Sequence, residues 1–255
     1  EVMLPKLNQK DNQFGGVTVS WIQENEAAPE TGTKLEMLGW STNEVEAHIP
    51  LSQKLITNWS GATGFAQSLL RDALNAELET AILRGNGVKK PLGILPSKAT
   101  YAVSRTIAGD FTFEDVAAMV ERRLLRGDSA FWLVNQLLLS RLMKMTDGNG
   151  NLIWQSSARE GAPSSLYGMP LYFYPHSPAV GEFGDVLLVQ PSYYLLKEGV
   201  GPLIDFGKVN TDFLQGLVRI RVLMSIGGGP WLDGPFKHAN GTETSPFLAL
   251  DLPSA

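Results

Sequence analysis

The chain has 255 residues, 44% of them apolar and 18% charged, with 26 Gly and 15 Pro, which suits one or two turn-rich domains with a sizeable core. Its net charge of −5, from 21 basic and 26 acidic residues, excludes a protein built to grip nucleic acid through phosphate neutralisation. The absence of cysteine excludes disulfides and thiolate metal sites, and no apolar run approaches the ~18–20 residues of a membrane-spanning helix.

Residues 1–16 are polar, end in Gly15-Gly16 and read as an N-terminal arm remnant. The chain starts at Glu1 rather than Met, so an upstream segment, cut off or processed, is expected. Val17, Val19 and Trp21 alternate with Thr18 and Ser20, which predicts a strand. Residues 24–32 are acidic, contain Pro29 and break it. A second alternation, Val45, Ala47 and Ile49 against Glu44, Glu46 and His48, predicts the return strand. Residues 17–50 therefore read as an extended β-arm. A two-stranded hairpin is marginal in water, so this arm needs a surface to lie on, its own domain's or a neighbour's.

A long helix is predicted over 65–84. Leu70, Leu74, Leu78, Ala81 and Ile82 share one face, and Leu69, Ala73, Ala76 and Thr80 form a small-residue stripe beside it. Gly85 fits a left-handed stop, Asn86-Gly87 a turn, and Pro91 bars an immediate second helix. A link leads to a helix at about 113–126, with Thr112 and Asp115 as a capping box and Val116, Met119, Val120 and Leu124 inward. Then follow a buried strand at 130–134, a helix at 137–145, a turn at 147–151, and strands at 152–154, 165–175 and 185–190. Near the C-terminus Val218, Ile220, Val222 and Met224 face inward and Arg219 and Arg221 outward. A Gly-rich loop at 226–234 and a closing strand at 245–250 complete the chain.

The order of these pieces is similar to a known family. A helix rich in Ala, Leu and Glu that runs into GNG and then PLGIL resembles the spine helix of tailed-phage major capsid proteins. WIQENEAAPE followed by IPLSQKLI resembles that family's extended loop and return strand. DGNGNLIW, LYGMPLYF and GDVLLV resemble its axial domain, element by element. The resemblance covers roughly residues 17–252 and implies an α+β phage major capsid fold of the Hong Kong 97 type. It divides the chain into the arm at 17–50, a peripheral domain at 51–98 with its spine helix, an axial domain at 99–205, peripheral return strands and Gly-rich loop at 206–244, and a closing strand to the axial domain at 245–255. It further implies hexamers and pentamers of an icosahedral shell around double-stranded DNA, a virion assembled in the host cytoplasm, and portal, scaffold, protease or cement proteins as further partners.

Site chemistry is sparse. His48, His176 and His238 have no metal-ligand spacing and read as isolated surface residues. Gly227-Gly228-Gly229 has bare amides that suit an anion, but no following Lys or helix start, and reads as a flexible connector. Ser60 lacks the first Gly of a nucleophile elbow. Arg122, Arg123 and Arg126 suit either acidic partners or solvent, and Arg126-Gly127-Asp128 is read as a chance tripeptide. No catalytic, cofactor or metal site is expected. The interface candidates are Glu24, Glu26 and Glu30 at the arm tip, Trp40, and Arg219 with Arg221, the arginines being expected to meet arm acids of a neighbouring subunit. Some family members join subunits by a Lys–Asn isopeptide bond aided by a Glu. Here the Asn position falls at Gly216 and the Glu position at Leu223, and Lys34 lacks matching partners, so non-covalent locking is expected. The rival readings are an encapsulin-type compartment subunit, which shares the fold but carries protein cargo, and a soluble hydrolase using Ser60 or the Gly-rich loop.

Overall fold

The computed structural model describes residues 2–9, 14–125, 130–146, 152, 154, 164–238 and 240–253. The expected turn at 147–151, Ile153 of the expected 152–154 strand, and the 126–128 tripeptide lie outside them. In chain order, β1 (Val2–Leu7) and β2 (Leu35–Trp40) pair as a two-stranded ribbon. β1 lies within the segment read as an arm remnant. It is anchored by Lys6, almost fully buried, whose amine contacts Asp233 and lies 3.7 Å from Glu36. β3 (Asn43–Ser52) alternates half-buried and exposed residues along its whole length. Ser52 caps α1 (Gln53–Asn58) by accepting from the Leu55 N–H at 3.1 Å. α2 (Ala62–Arg84) is the expected long helix, begun three residues earlier.

The end of α2 differs from expectation in a telling way. Gly85 is extended, at φ −60° and ψ 136°, not left-handed. It is needed because a Cβ there would overlap the carbonyls of Ala81 and Pro91. The PLGIL segment folds back along the helix end, and its N–H groups serve carbonyls that have no partner further along the helix. Gly93 donates to Gly85 at 2.7 Å, Ile94 to Ile82 at 2.9 Å and Leu95 to Leu83 at 2.9 Å. A Cβ on Gly93 would collide with the Arg84 and Gly85 backbone nitrogens.

Next come β4 (Thr100–Ser104), within a stretch read as a link, and α3 (Phe113–Arg122), which has the expected capping box. α3 stops at Arg122 because the following backbone pairs with Ser245: the Leu124 N–H reaches its carbonyl at 3.3 Å, and the Ser245 N–H reaches Arg122 at 3.0 Å. β5 (Phe131–Val134) follows. The expected helix at 137–145 is one 3₁₀ turn and then α4 (Leu139–Leu142), which closes in tighter bonds from Lys144 to Arg141 and from Met145 to Leu142. Leu152 makes only an isolated bridge to Thr146. The run at 165–175 is a hairpin, β6 (Ser164–Leu166) and β7 (Met169–Phe173). Its turn residues Tyr167 and Gly168 have φ of 53° and 74°, the sign a tight two-residue hairpin requires. β8 (Val186–Val189) is wholly buried. β9 (Tyr194–Glu198), β10 (Leu203–Gly207), α5 (Asp212–Gln215), β11 (Leu217–Pro230), β12 (Phe236–Lys237), β13 (Glu243–Thr244) and β14 (Phe247–Asp251) complete the chain.

Two compact units result. The first comprises residues 1–3, 39–96 and 195–229; the second comprises 4–38, 97–194 and 230–255. Residues 39–50, expected in the arm, thus pack in the first unit, and 230–244 pack in the second. In the first unit β11 lies between β10 and β3 and also pairs with β9. α2 covers that sheet: Ala66, Leu70 and Leu74 meet Ile220 and Val222, with Val45, Ala47, Ile49 and Met224 around them. The second stripe on α2 is only partly covered: Leu69 is 49% exposed and Ala73 is exposed, while Ala76 and Thr80 are half-buried. In the second unit six strands run β4-β14-β8-β5-β7-β6. β14 pairs parallel with β4 and antiparallel with β8. Val116 and Met119 of α3 pack on it with Trp132, Val186, Leu188, Leu248 and Leu250. Arg105 and Asp185 form an ion pair with no exposed side-chain surface. Burial pushes the Asp185 carboxyl up, and contacts from the Gly181 N–H and Arg105 pull part of that back.

The expected Gly-rich loop is a correction: Gly227, Gly228 and Gly229 lie buried inside β11. Other chain segments cross the strand there. A Cβ on Gly227 would overlap the Ser41 carbonyl, one on Gly228 the Leu195 carbonyl, and one on Gly229 the Trp40 ring. Gly228 also accepts from the Leu92 N–H at 2.9 Å. These glycines permit close packing and do not form a flexible connector.

Candidate functional site

The solvent face of the first unit's sheet carries a row of charge set by strand register. Asp205 on β10 lies opposite Arg221 on β11, which lies opposite His48 on β3; one step along, Gly207 lies opposite Arg219 and Arg219 opposite Pro50. Because Ile220 and Val222 are fully buried between them, both arginines point away from the core, as their alternation predicts. With Glu46, Phe206 and Val209 they line an open cavity of about 510 Å³.

The arginines have partners within their own chain. Arg219 donates to both oxygens of Asp212, from Nε at 2.7 Å and from Nη2 at 3.2 Å. Asp212 itself is almost fully buried and also accepts from the Val209 N–H at 2.9 Å. The Arg219 hydrogen bond, and then the Val209 one, hold the Asp212 carboxyl below the usual carboxylate range. Arg221 donates to Asp205 at 2.7 Å and lies 3.7 Å from Glu46. Asp205 first, then Glu46, raises the Arg221 guanidinium further above its ordinary value. Carboxylates of the same chain, Asp212 and Asp205, thus already engage these heads, alongside the expected Glu24, Glu26 or Glu30 of a neighbour. Asp205 sits on β10 and Asp212 on α5, neither of which is obvious from the sequence. The signals were the polar-outward step in LIDFG and the Asp at the first position of a short helix.

The other candidates fall elsewhere. Glu24, Glu26 and Glu30 are exposed on an arm in which no described residue from 17 to 34 belongs to a strand. The tip is a turn: the Glu26 N–H donates to the Gln23 carbonyl at 3.1 Å, and the Glu26 carboxylate accepts from the Gln23 N–H at 3.1 Å. The first arm strand is thus also a correction. It has an alternating pattern but no ladder, with Val19 93% and Trp21 102% exposed. Trp40 is half-buried against Gly229 of its own unit and is not a free surface aromatic. Gly216 is left-handed at φ 63° and ends α5, and its carbonyl accepts from the Gln53 N–H at 2.7 Å. In the second unit Arg122 lies over the Tyr101 ring and reaches the Glu243 carbonyl, while Arg123 donates to the Met169 sulfur. His48 lies 3.8 Å from Glu46, His176 meets the Tyr174 ring and His238 meets Thr244. Ser60 is exposed in the turn between α1 and α2.

This arrangement offers surfaces: a charged cleft, an exposed arm and the exposed Leu69 and Ala73 of α2. Solved structures share the fold. The capsid of a native GTA particle superposes with a TM-score of 0.75 at 18% identity, covering 99% of this chain and 85% of that one. A chain from Mycobacterium phage Bobi gives 0.69 at 17%, covering 100% and 86%. The holo-SrpI encapsulin complex from Synechococcus elongatus gives 0.61 at 13%, covering 87% and 77%. No curated protein sequence matches. The profile of the Phage capsid family matches residues 6–241. The chain therefore belongs to the phage capsid family and is a structural, major capsid protein.

Proposed function

We propose that copies of this chain assemble into hexamers and pentamers of an icosahedral shell that encloses double-stranded DNA, as part of a virion built in the host cytoplasm. The observation that carries this reading is the arm. A segment that exposes Val19 and Trp21 almost completely calls for another surface to cover it. Many modest contacts, closed by symmetry, give a stable shell without any single strong one. The acidic balance of −5 suits a container that holds DNA without gripping it. Portal, scaffold, protease and cement proteins are the further partners expected.

Electron microscopy of the purified protein, with and without residues 17–31, tests the reading. Closed shells from the full chain and open capsomers or monomers from the deletion are expected; closed shells from both would refute the role of the arm. Boiled, denatured shells should run as a single monomer band, because Gly216 and Leu223 stand where crosslinking chemistry needs Asn and Glu. A ladder of covalent oligomers would contradict that. The encapsulin reading is favoured only by the SrpI likeness and is separated by content, nucleic acid against a packaged protein. A hydrolase using Ser60 has no support from the histidines, each of which is engaged with another residue.

A further inference from the structure

An asparagine followed by glycine leaves its side-chain amide open to attack by the next backbone nitrogen, because glycine has no Cβ to shield that nitrogen or to restrict its φ and ψ. The glycine nitrogen loses its proton to solvent base and bonds to the asparagine Cγ. Ammonia leaves, and water opens the cyclic imide to aspartate or isoaspartate. The chain holds three such pairs, Asn86-Gly87, Asn149-Gly150 and Asn240-Gly241, of which the second lies outside the described residues. Asn86, Gly87, Asn240 and Gly241 are all exposed, so exposure does not tell the other two pairs apart. Their hydrogen bonds do.

Asn240 is held in a closed hairpin. Its amide oxygen accepts from the Thr242 N–H at 3.0 Å and from the Thr242 hydroxyl at 2.7 Å. The Gly241 N–H, which carries the attacking nitrogen, donates to the His238 carbonyl at 2.9 Å, and the His238 N–H donates to the Thr242 carbonyl at 2.9 Å. The β12–β13 pairs Phe236↔Thr244 and Lys237↔Glu243 continue the ladder. Imide closure there must break the nucleophile's own bond and turn an amide that is held twice. Asn86, at the end of α2, is held less. Its amide oxygen accepts one hydrogen bond, from the Val88 N–H at 3.1 Å, which closes a small ring containing the Gly87 nitrogen and polarises the amide carbonyl. The backbone pairing of this turn is a single isolated bridge, Asn86↔Leu92. Gly87 has φ 75°, and a Cβ there would meet Leu92 alone, at an ordinary 3.5 Å.

We propose that Asn86 is a site of spontaneous deamidation in the folded chain, and that the fold protects Asn240 from the same reaction. The change puts a carboxylate into a turn that carries the exposed Lys89 and Lys90. Its isoaspartyl form also adds an atom to the main chain between residues 86 and 87. That shifts the Asn86↔Leu92 bridge and the Gly93 donation to Gly85, by which PLGIL folds back on the helix end. The subunit alone carries this chemistry, which stands apart from the assembly proposed above.

The test holds unassembled full-length protein in mildly alkaline buffer, beside a sample unfolded in urea, and follows both by peptide mapping with mass spectrometry. In the native protein position 86 should gain aspartate and isoaspartate several-fold faster than position 240. In urea, where only the local sequence acts, the two rates should converge. Raising the pH should speed the native reaction at position 86, because the attacking nitrogen has to lose a proton. Equal native rates at the two positions, faster reaction at 240, or a native ratio no larger than the ratio in urea would each overturn the proposal.

Discussion

β3 and the arm at 17–21 alternate apolar and polar residues in the same way, yet only one is a strand. β3 pairs with β11 from Asn43↔Ile226 to Ser52↔Leu217, and its half-buried row of Val45, Ala47, Ile49 and Leu51 lies in a core closed by α2. Residues 17–21 belong to no strand among the described residues, and Val19 and Trp21 of their apolar row stand in solvent. The difference teaches that a period of two fixes which side chains share a face, while the existence of a ladder depends on a partner. In β3 the partner is in the chain; the surface that covers the arm is proposed to lie on another copy.

That contrast can be broken most forcefully on the β3 side. Ile220 is fully buried among Ala66, Leu70 and Leu74, so Ile220→Ala should cost about 2–5 kcal/mol of subunit stability, measured by denaturant unfolding of unassembled protein. A loss below about 1 kcal/mol would mean that this sheet and α2 are not packed as described. The next effect tests the crossings over β11. Gly228→Ala and Gly229→Ala each place a methyl group against the Leu195 carbonyl or the Trp40 ring and should cost about 1–3 kcal/mol. Wild-type stability in both would restore the flexible-connector reading.

These elements also show what the sequence made legible. The 3.6-residue period of α2, the capping box of α3 and the outward aim of Arg219 and Arg221 followed from spacing alone. The order of the pieces carried the family. The partners of the arginines did not follow, because alternation gives a direction but not which acid lies within reach. Asp205 came from a five-residue strand with one half-buried position, and Asp212 from a four-residue helix. Gly85 looked like a left-handed stop, but its smallness, like that of Gly93, serves backbone-to-backbone contact at the end of α2, and a single sequence does not display that contact. The arm's first strand was overread for the reason given above: propensity was present, but no ladder forms there among the described residues.

A smaller effect should follow pH. Arg219 and the Val209 N–H hold the Asp212 carboxyl below its ordinary range, so the folded state binds fewer protons there than the unfolded chain. The stabilisation is complete above the unfolded value of about 3.9 and is lost as pH falls through the lower folded value. Asp185 has the opposite sign, because burial raises its carboxyl and favours the protonated form. Asp212→Asn should therefore flatten the acid side of a stability–pH profile without altering the contribution of Asp185. An unchanged profile in that variant would show that the Arg219 contact does not persist in solution.

The smallest expected effect on the subunit is the most informative about the arm. Trp21 is fully exposed and makes no contribution to either core, so Trp21→Ala should leave subunit stability within about 0.5 kcal/mol of wild type. Assembly should respond differently. An aromatic that is solvated in the free chain and covered in the shell contributes only on association, and aromatic anchors of this kind commonly dominate an interface. Val19→Ala should weaken assembly in the same direction but less, since it removes less area from the same face. The pair of measurements separates two explanations for the exposed indole. Loss of shells with an unchanged unfolding curve assigns Trp21 to a contact between copies. Loss of both would mean that the arm folds onto its own chain in solution, and the contrast with β3 would then be one of degree.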